Sequence, residues 1–458
     1  MNLIQKCLLT LALIGLSAEV FSQESKEVIK LSVAEAQAYA LENNRTVQSA
    51  KIDIEIATKQ VKETTGIGLP QLNLAANYQH QFTVPELSFG SYFDVGSLPE
   101  NVYLMKSDIE NAYKPSPAVP LGVKDNTTFD FTLSQLIFSG EYIVGLQALK
   151  VIKITAEKAL AKTEAMTKES VSGTYFLVLI LGESADVLKE SLKAIEKTYN
   201  DQVKMNQQGF NEETDVDQIK ISVSNLKRLI TSTESQRDIS MRLLKFQLGM
   251  DLNQVVVLTD SINGFIQEGN MQYLTSPEFN LDKSIDYQII NNQVEVSALL
   301  LKREKSKYLP TISGFYRRHE QTNQPSFNFQ VKDLVGVNLS LPIFTSGQRS
   351  NKVGQAKFTL EKSQLNRDNA GQGLIVEFET ALTNYQTAYS NFMTSQETIV
   401  LTKKVYDKSI IKYNEGVSTS FELSQNQSQF LTAETLYYNS ILNLLTAKAK
   451  LDRILTSY

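Results

Sequence analysis

Two halves of this chain carry the same landmarks in the same order. Residues 284–316 lie over 44–76 at a constant offset of 240 without a gap, pairing Gln48 with Gln288, Glu55 with Glu295, Lys62 with Lys302, and Leu69-Pro70 with Leu309-Pro310. Leu133-Ser134-x-x-Ile137-Phe138 then matches Leu339-Ser340-x-x-Ile343-Phe344 at 206. From Tyr199-x9-Gly209 and Tyr406-x9-Gly416 the offset is 207, and it runs on through Leu229/Leu436, Leu244/Leu451 and Leu248/Leu455. A period of about 200 residues is far longer than a solenoid repeat, so the pattern is that of a duplicated domain. The first copy is residues 23–249 and the second 284–458, with 250–283 as a linker region. The first copy holds about 34 more residues between its front and back landmarks.

The chain opens with Lys6, an apolar run over residues 7–16, and Val20-Phe21-Ser22 at the positions a signal peptidase reads. This pattern predicts a secretory signal peptide, residues 1–22. Its apolar run is too short for a spanning helix, which needs about 20 residues. Cys7, the only cysteine, falls inside that segment. The remainder therefore offers no disulfide, thiolate nucleophile or zinc-thiolate site. No window of about 20 apolar residues follows, so no transmembrane helix is expected. A net charge of −5 without a basic block argues against nucleic acid as a partner.

Glycine (21) and proline (10) are scarce for 458 residues, which calls for long uninterrupted elements. From Gly140 to about Gln208 there is no proline, and only Gly145, Gly173 and Gly182 intervene. A helix of that span is about 100 Å long at about 1.5 Å per residue. The second copy repeats it over 349–415. Beyond Gly416, Leu423, Phe430, Tyr437, Leu444 and Leu451 form an apolar line at seven-residue spacing. Its first-copy counterpart is Val216, Val223, Ile230, Arg237 and Leu244, interrupted by one arginine. Seven-residue spacing predicts coiled-coil packing of antiparallel helix pairs. Gly209 and Gly416 sit at the turns, where a residue with positive φ closes a helix. Thr214-Asp215 and residues 420–422 put cap-type and acidic residues at the next helix start.

Four short segments have the opposite periodicity. In residues 72–82, Leu72, Leu74, Ala76, Tyr78, His80 and Phe82 alternate with Asn73, Ala75, Asn77, Gln79 and Gln81. In 128–137, Phe129, Phe131, Leu133, Gln135 and Ile137 alternate with Thr128, Asp130, Thr132 and Ser134. In the second copy Val335, Val337, Leu339, Leu341 and Ile343 alternate with Gly336, Asn338 and Ser340. Its partner, 311–321, is weaker, with Ile312 and Tyr316 on one face and arginines at 317 and 318. Segments of about ten residues, apolar on one face and small-polar on the other, suit a membrane β-barrel. Soluble half-buried strands look the same. The expected hairpins are 72–82 with 128–138 and 311–321 with 335–344. Four strands cannot close, two chains give an eight-stranded barrel filled by side chains, and three give twelve strands with room for a lumen. Edges cannot face lipid unpaired, so a membrane barrel must be shared between chains.

Leu-x-x-x-Glu-Ala at 31–36, Ala40-Leu41-Glu42-Asn43-Asn44, the Leu-Pro pairs at 69 and 309, Leu341-Pro342-Ile343-Phe344-x-x-Gly347, and the two glycine-centred tips together resemble the TolC-type outer-membrane efflux channels. The resemblance implies a homotrimer whose 12-stranded outer-membrane barrel continues into an α-helical coiled-coil tunnel through the periplasm. A mixed equatorial region, here 251–283 with the chain ends, would ring that tunnel. It also implies a duct for efflux or type I secretion, with a periplasmic adaptor protein and an inner-membrane transporter as partners, outer-membrane lipid around the barrel, and no cofactor. Carried to the tips, the family pattern places a periplasmic gate at Tyr413, Asp215, Thr214 and Glu422. Tyr413 would hydrogen-bond to Asp215 or Thr214, and Glu422 would form an acidic, cation-favouring ring. Gly209, Phe210, Gly416 and Val417 would be the adaptor-contacting tips. This chain departs from the pattern in having Ser418 for a tip arginine, Gln425 for a second acid, and Gln208 and Glu415 before the tip glycines. Both acids also suit a helix N-terminus on dipole grounds alone.

Support for catalysis is thin. His80 and His319, the two histidines, lie in strand segments, and neither a Gly-x-Ser-x-Gly motif nor a phosphate loop occurs. No catalytic or metal residue is expected. The competing reading from another class is a secreted structural coiled-coil protein with soluble strands.

Overall fold

The computed structural model describes residues 28–87, 118–269, 278–325 and 328–456, and the side chains of 267–269 are not described. The expected signal peptide and most of the long first hairpin loop, about 83–126, lie outside the described residues. The chain divides into two compact units, each drawing on both repeats: residues 54–156 with 290–367, and residues 1–53 with 157–289 and 368–458.

The first of these units holds a four-stranded antiparallel sheet. Its strands are β2 (Gln71–His80), β5 (Asp125–Phe138), β7 (Thr311–Gln321) and β8 (Asp333–Ser340), in the order β2-β5-β7-β8. Both expected hairpins form and β5–β7 pairing joins them, but β8 ends at Ser340, so Leu341 and Ile343 of the expected strand lie beyond the sheet, where Pro342 offers no amide for a ladder. Side chains alternate between two chemistries. One face carries the row Leu72, Leu133, Tyr316, Val335, flanked by Leu74, Phe131 and, beyond the bulge near Ile137, Ile312 with Leu339. The other carries Asn73, Thr132, Arg317 and Leu334, then Ala75, Asp130 and His319. Apolar side chains on the first face are exposed, with Leu72 and Val337 each 70% accessible. The weak strand is explained by its end. Arg318 lies on the apolar face, but beyond the apolar rows, where Glu320 (2.6 Å) and Asp333 (4.0 Å) pair with it. Arg317 points to the polar face. On that face the Phe315 ring covers Gly336, where a Cβ would come within 2.7 Å of it, so this strand needs a glycine there. Among the described residues of one chain, β2 and β8 each keep an open edge in this sheet. A two-residue pair, β3 (Glu86–Leu87) with β4 (Val119–Pro120), lies beyond the hairpin.

Helices α2 (Arg45–Ile67), α3 (Gly140–Gln207), α6 (Ile285–Ser306) and α7 (Gln348–Asn414) each contribute residues to both units. The long ones, α3 and α7, have 68 and 67 residues. The second unit adds α4 (Glu213–Leu248) and α8 (Ser420–Leu455), which pair with them as the glycine-poor stretches predict. Its main core joins Val171, Tyr175 and Phe176 of α3, Leu244 and Leu248 of α4, Tyr385 and Phe392 of α7, and Ile441, Leu444 and Leu451 of α8. The expectation that no apolar window is long enough to span a membrane needs correction. One stretch of α3 qualifies by length and composition. Half of it is buried, and Val171, Tyr175, Phe176, Val178 and Ile180 are core side chains, so packing accounts for its apolarity.

Chain start and linker meet in this unit. β1 (Ile29–Leu31) pairs in parallel with β6 (Val256–Leu258), next to α1 (Val33–Asn43) and α5 (Ile262–Gly269). The Leu-x-x-x-Glu-Ala motif has a local cause. Ser32 caps α1 and the Glu35 carboxylate accepts the Ser32 amide at 2.8 Å, a reciprocal capping box. Gly249 ends α4 at φ 75°, with the Asn43 carbonyl packed where a side chain would stand. Arg453 ties four helices through Glu169 (2.6 Å), Glu377 (3.0 Å) and Asp286 (3.9 Å), and Lys162 also reaches Asp286 at 2.5 Å.

Candidate functional site

The two α-hairpin tips are built alike. Phe210 and Gly209 donate backbone hydrogen bonds to the carbonyls of Met205 (3.0 Å) and Asn206 (2.9 Å). Val417 and Gly416 donate to those of Lys412 (2.9 Å) and Tyr413 (3.0 Å). These are Schellman turns, which satisfy the last helical carbonyls and require a left-handed residue after the cap. Gly209 and Gly416 supply it at φ 79° and 73°.

The following helix starts differ from expectation. Glu212, not Thr214, is the N-cap of α4, and it makes no side-chain cap. Thr214 lies inside the first turn, its hydroxyl donating to Glu212 at 3.3 Å. Thr419, not Ser420, caps α8, accepting the Glu422 amide at 3.1 Å. Both helices therefore start earlier after the Schellman turn than the cap-type spacing suggested, by two residues at the first tip and by one at the second.

Asp215 and Glu422 are thus first-turn acids, complementing the helix dipole. Within the chain Tyr413 makes no hydrogen bond to Asp215 or Thr214. The buried Ser420 hydroxyl donates to Asp215 instead, linking α8 to α4. Tyr413 is buried, and burial first and the Asp215 charge second push its phenol up to about 12, so it stays neutral. Glu422 is exposed and accepts from Ser418 at 2.8 Å, the residue standing where the family pattern has an arginine. Gln425 is exposed. Phe210 (74%) and Val417 (73%) project into solvent, and Phe421 (70%) joins them. At the first tip Gln202, Asn206 and Asn211 form a polar network, with Asn211 donating to the Gln202 side chain at 2.6 Å.

Sequence reasoning missed Thr419 as the cap, the exposed Phe421, and the partners of Ser418 and Ser420. The signal was present for Thr419, since Thr-x-x-Glu is a capping pattern. It was also available in the seam of α8. Alternating with the apolar line are Ser420, Gln427, Glu434, Ile441 and Lys448, and the first four of these are buried, three of them polar. Among the described residues no group of His, Cys, Asp and Glu is placed to hold a metal ion.

The sheet has an exposed apolar face and edges left unpaired among the described residues, and the two longest helices have 68 and 67 residues, an architecture that suits a membrane channel with helical extensions. The comparisons agree. Residues 302–457 match the family model described as outer membrane efflux protein. CusC, in a structure on folding and transmembrane channel formation, is 15% identical with a TM-score of 0.71, over 93% of this chain and 92% of its own. The Campylobacter jejuni CmeC outer membrane channel is 17% identical with a TM-score of 0.70, over 92% and 85%. The open state of the Neisseria gonorrhoeae MtrE outer membrane channel is 15% identical with a TM-score of 0.70, over 93% and 88%. A search of curated proteins gives no match. The second repeat carries the sequence of the family and the chain carries its fold, that of the TolC-type outer membrane efflux channels.

Proposed function

We propose that three copies of this chain form the exit duct of a tripartite efflux or type I secretion system. The duct sits in the outer membrane and extends into the periplasm, receiving substrate from an inner-membrane transporter through a periplasmic adaptor. The observation that carries the reading is the four-stranded sheet: its apolar face is exposed, its opposite face is polar, and both its edges are open. Lipid satisfies the first face, and two further copies satisfy the edges, because a bilayer offers unpaired backbone groups no partner. Twelve strands leave a lumen for the polar face to line.

In this reading the tips close the periplasmic end. Tyr413, Asp215, Thr214 and Glu422 form the gate. Three Glu422 carboxylates brought together by the three-fold axis repel one another and attract cations. Gly209, Phe210, Gly416 and Val417 meet the adaptor, and the exposed Phe421 extends that surface. The test is the mass of the protein–detergent complex after extraction of washed outer membranes. A trimer retained in the membrane through carbonate washing is the expected result. A monomer or dimer in mild detergent, or release by carbonate as for a soluble rod, overturns the reading.

A further inference from the structure

The seam of α8 contains an anomaly that the duct does not require. Core positions of a coiled-coil helix fall at alternating spacings of three and four residues, and those of α8 include Leu423, Gln427, Phe430, Glu434, Tyr437 and Ile441. Glu434 is 3% exposed, and neither of its carboxylate oxygens completes a hydrogen bond. One turn away on each side it is flanked by aromatics. Phe430 stacks on Tyr406 of α7 at 5.4 Å between centroids, and Tyr437 lies against Phe392 of α7 at 6.2 Å.

Among the described residues no cation pairs with it. On α3 the Ser184 hydroxyl is the polar group acting on the carboxyl, and Glu183 and Asp186 add negative charge around Tyr438, beside Glu434 on α8 itself. Lys189 of α3 is paired with Glu234 of α4 at 2.7 Å, and Arg237 of α4 lies against Gly182. At this level of α7, Ile399 is uncharged and Glu397 is exposed. An ionised carboxylate so placed is costly, since burial without a partner penalises the charged form.

We propose that Glu434 is protonated in the resting hairpin, and that its ionisation loosens the α3–α8 packing on the tip side of the helical unit, making that packing responsive to periplasmic proton concentration. The geometry sets the direction. Burial raises the carboxyl to about 7. Between the ordinary glutamate range and about 7 the folded chain holds a proton that the unfolded chain has released, so stability falls as pH rises through that window and levels off above it. Below the ordinary range both states are protonated and the dependence disappears. The inference concerns the folded hairpin, and only its use in gating rests on the duct reading.

The test follows hydrogen–deuterium exchange of the segment around residues 425–440 in the detergent-solubilised protein at pH 5.5 and 8, corrected for the intrinsic pH dependence of exchange. The thermal midpoint is measured alongside. The parent should exchange this segment at least severalfold faster at pH 8 and melt at a lower temperature there. Glu434→Gln, which keeps the shape and cannot ionise, should show nearly the same corrected exchange at both values. Ser184→Ala, which removes the nearby hydroxyl, should move the parent's transition upward in pH. A parent without pH dependence in this segment overturns the proposal, and so does a Gln variant that keeps it. Neither readout uses conduction, so a failed duct reading leaves the result interpretable.

Discussion

At the first hairpin tip the turn donors Phe210 and Gly209 meet the carbonyls of Met205 and Asn206; at the second, Val417 and Gly416 meet Lys412 and Tyr413, each residue displaced by 207. Around these equal backbones the chemistry has diverged. Asn206 corresponds to Tyr413, and Asn211 corresponds to Ser418. The first tip is held by amide side chains, with an uncapped helix start behind it. The second buries an aromatic ring beneath a capped start and holds its acid through Ser418. The comparison teaches that the duplication conserves what the turn demands of the main chain and leaves side chains free to differ. Where a main-chain demand is shared, substitutions in the two copies should cost the same; elsewhere they should not.

The largest break in this equivalence is expected in the helices behind the tips. Leu444 is buried, while Arg237, its counterpart at the same offset, is exposed. Leu444→Ala should cost about 2–5 kcal/mol, the range for emptying a packed leucine site. Arg237→Ala should stay within about 0.5 kcal/mol. Thermal or denaturant unfolding of the purified protein checks both, and equal costs would mean that the two helices pack alike.

The strands extend the comparison to the sheet unit. Phe131 in the first copy and Val337 in the second both lie on the exposed apolar face. Aspartate at either should impair assembly, with about 2–4 kcal/mol, the cost of a basic residue at the midplane, as the upper limit. Thr132→Asp and Asn338→Asp, on the polar face, should be tolerated. Heat-resistant trimer on a gel gives the measurement, and equal tolerance on both faces removes the barrel.

A smaller and equal effect is expected at the turns. Gly209→Ala and Gly416→Ala each force a side chain into the left-handed region at about 1–2 kcal/mol. Nothing lies within 4 Å of either absent Cβ, so the cost is conformational alone and should match in both copies. Unequal midpoint shifts would show that one tip is strained by something beyond its turn.

How much of this was legible in the sequence follows from what each feature demands locally. Long helices needed only the absence of proline and the scarcity of glycine between Gly140 and Gln207, and the turns needed Gly209 and Gly416. The clean alternation of β5 and β8 marked them, while β7 was blurred because Arg318 belongs to the charged end of its apolar face. The three-residue strands β1 and β6 are too short to show a period. At the tips the acids were legible from the family pattern, but their partners were not. The contact of Ser420 with Asp215 joins residues 205 apart, and no local spacing encodes it. Gln427 and Glu434 were hidden behind the apolar line of α8, since a seven-residue spacing reads only every second core position.

The tip acids give the smallest thermodynamic effect and the most specific functional one. Ser420→Ala removes a hydroxyl donated to a half-buried carboxylate, so about 0.5–1.5 kcal/mol is expected. Tyr413→Phe removes no hydrogen bond among the described residues, and a phenol raised to about 12 is neutral throughout the physiological range. It should shift the thermal midpoint less than Ser420→Ala does. If the proposed gate holds, both variants should nevertheless raise single-channel conductance in planar bilayers, Ser420→Ala by freeing Asp215 within the chain and Tyr413→Phe by removing a bond made across a subunit boundary. Glu422→Gln should leave stability unchanged, since its carboxylate is exposed, and should weaken cation preference. A Tyr413→Phe channel with raised conductance and an unshifted midpoint places the partner of the hydroxyl on the adjacent subunit. If all three variants conduct and select like the parent, Asp215 and Glu422 serve only their helix N-termini, and the constriction lies elsewhere along the duct.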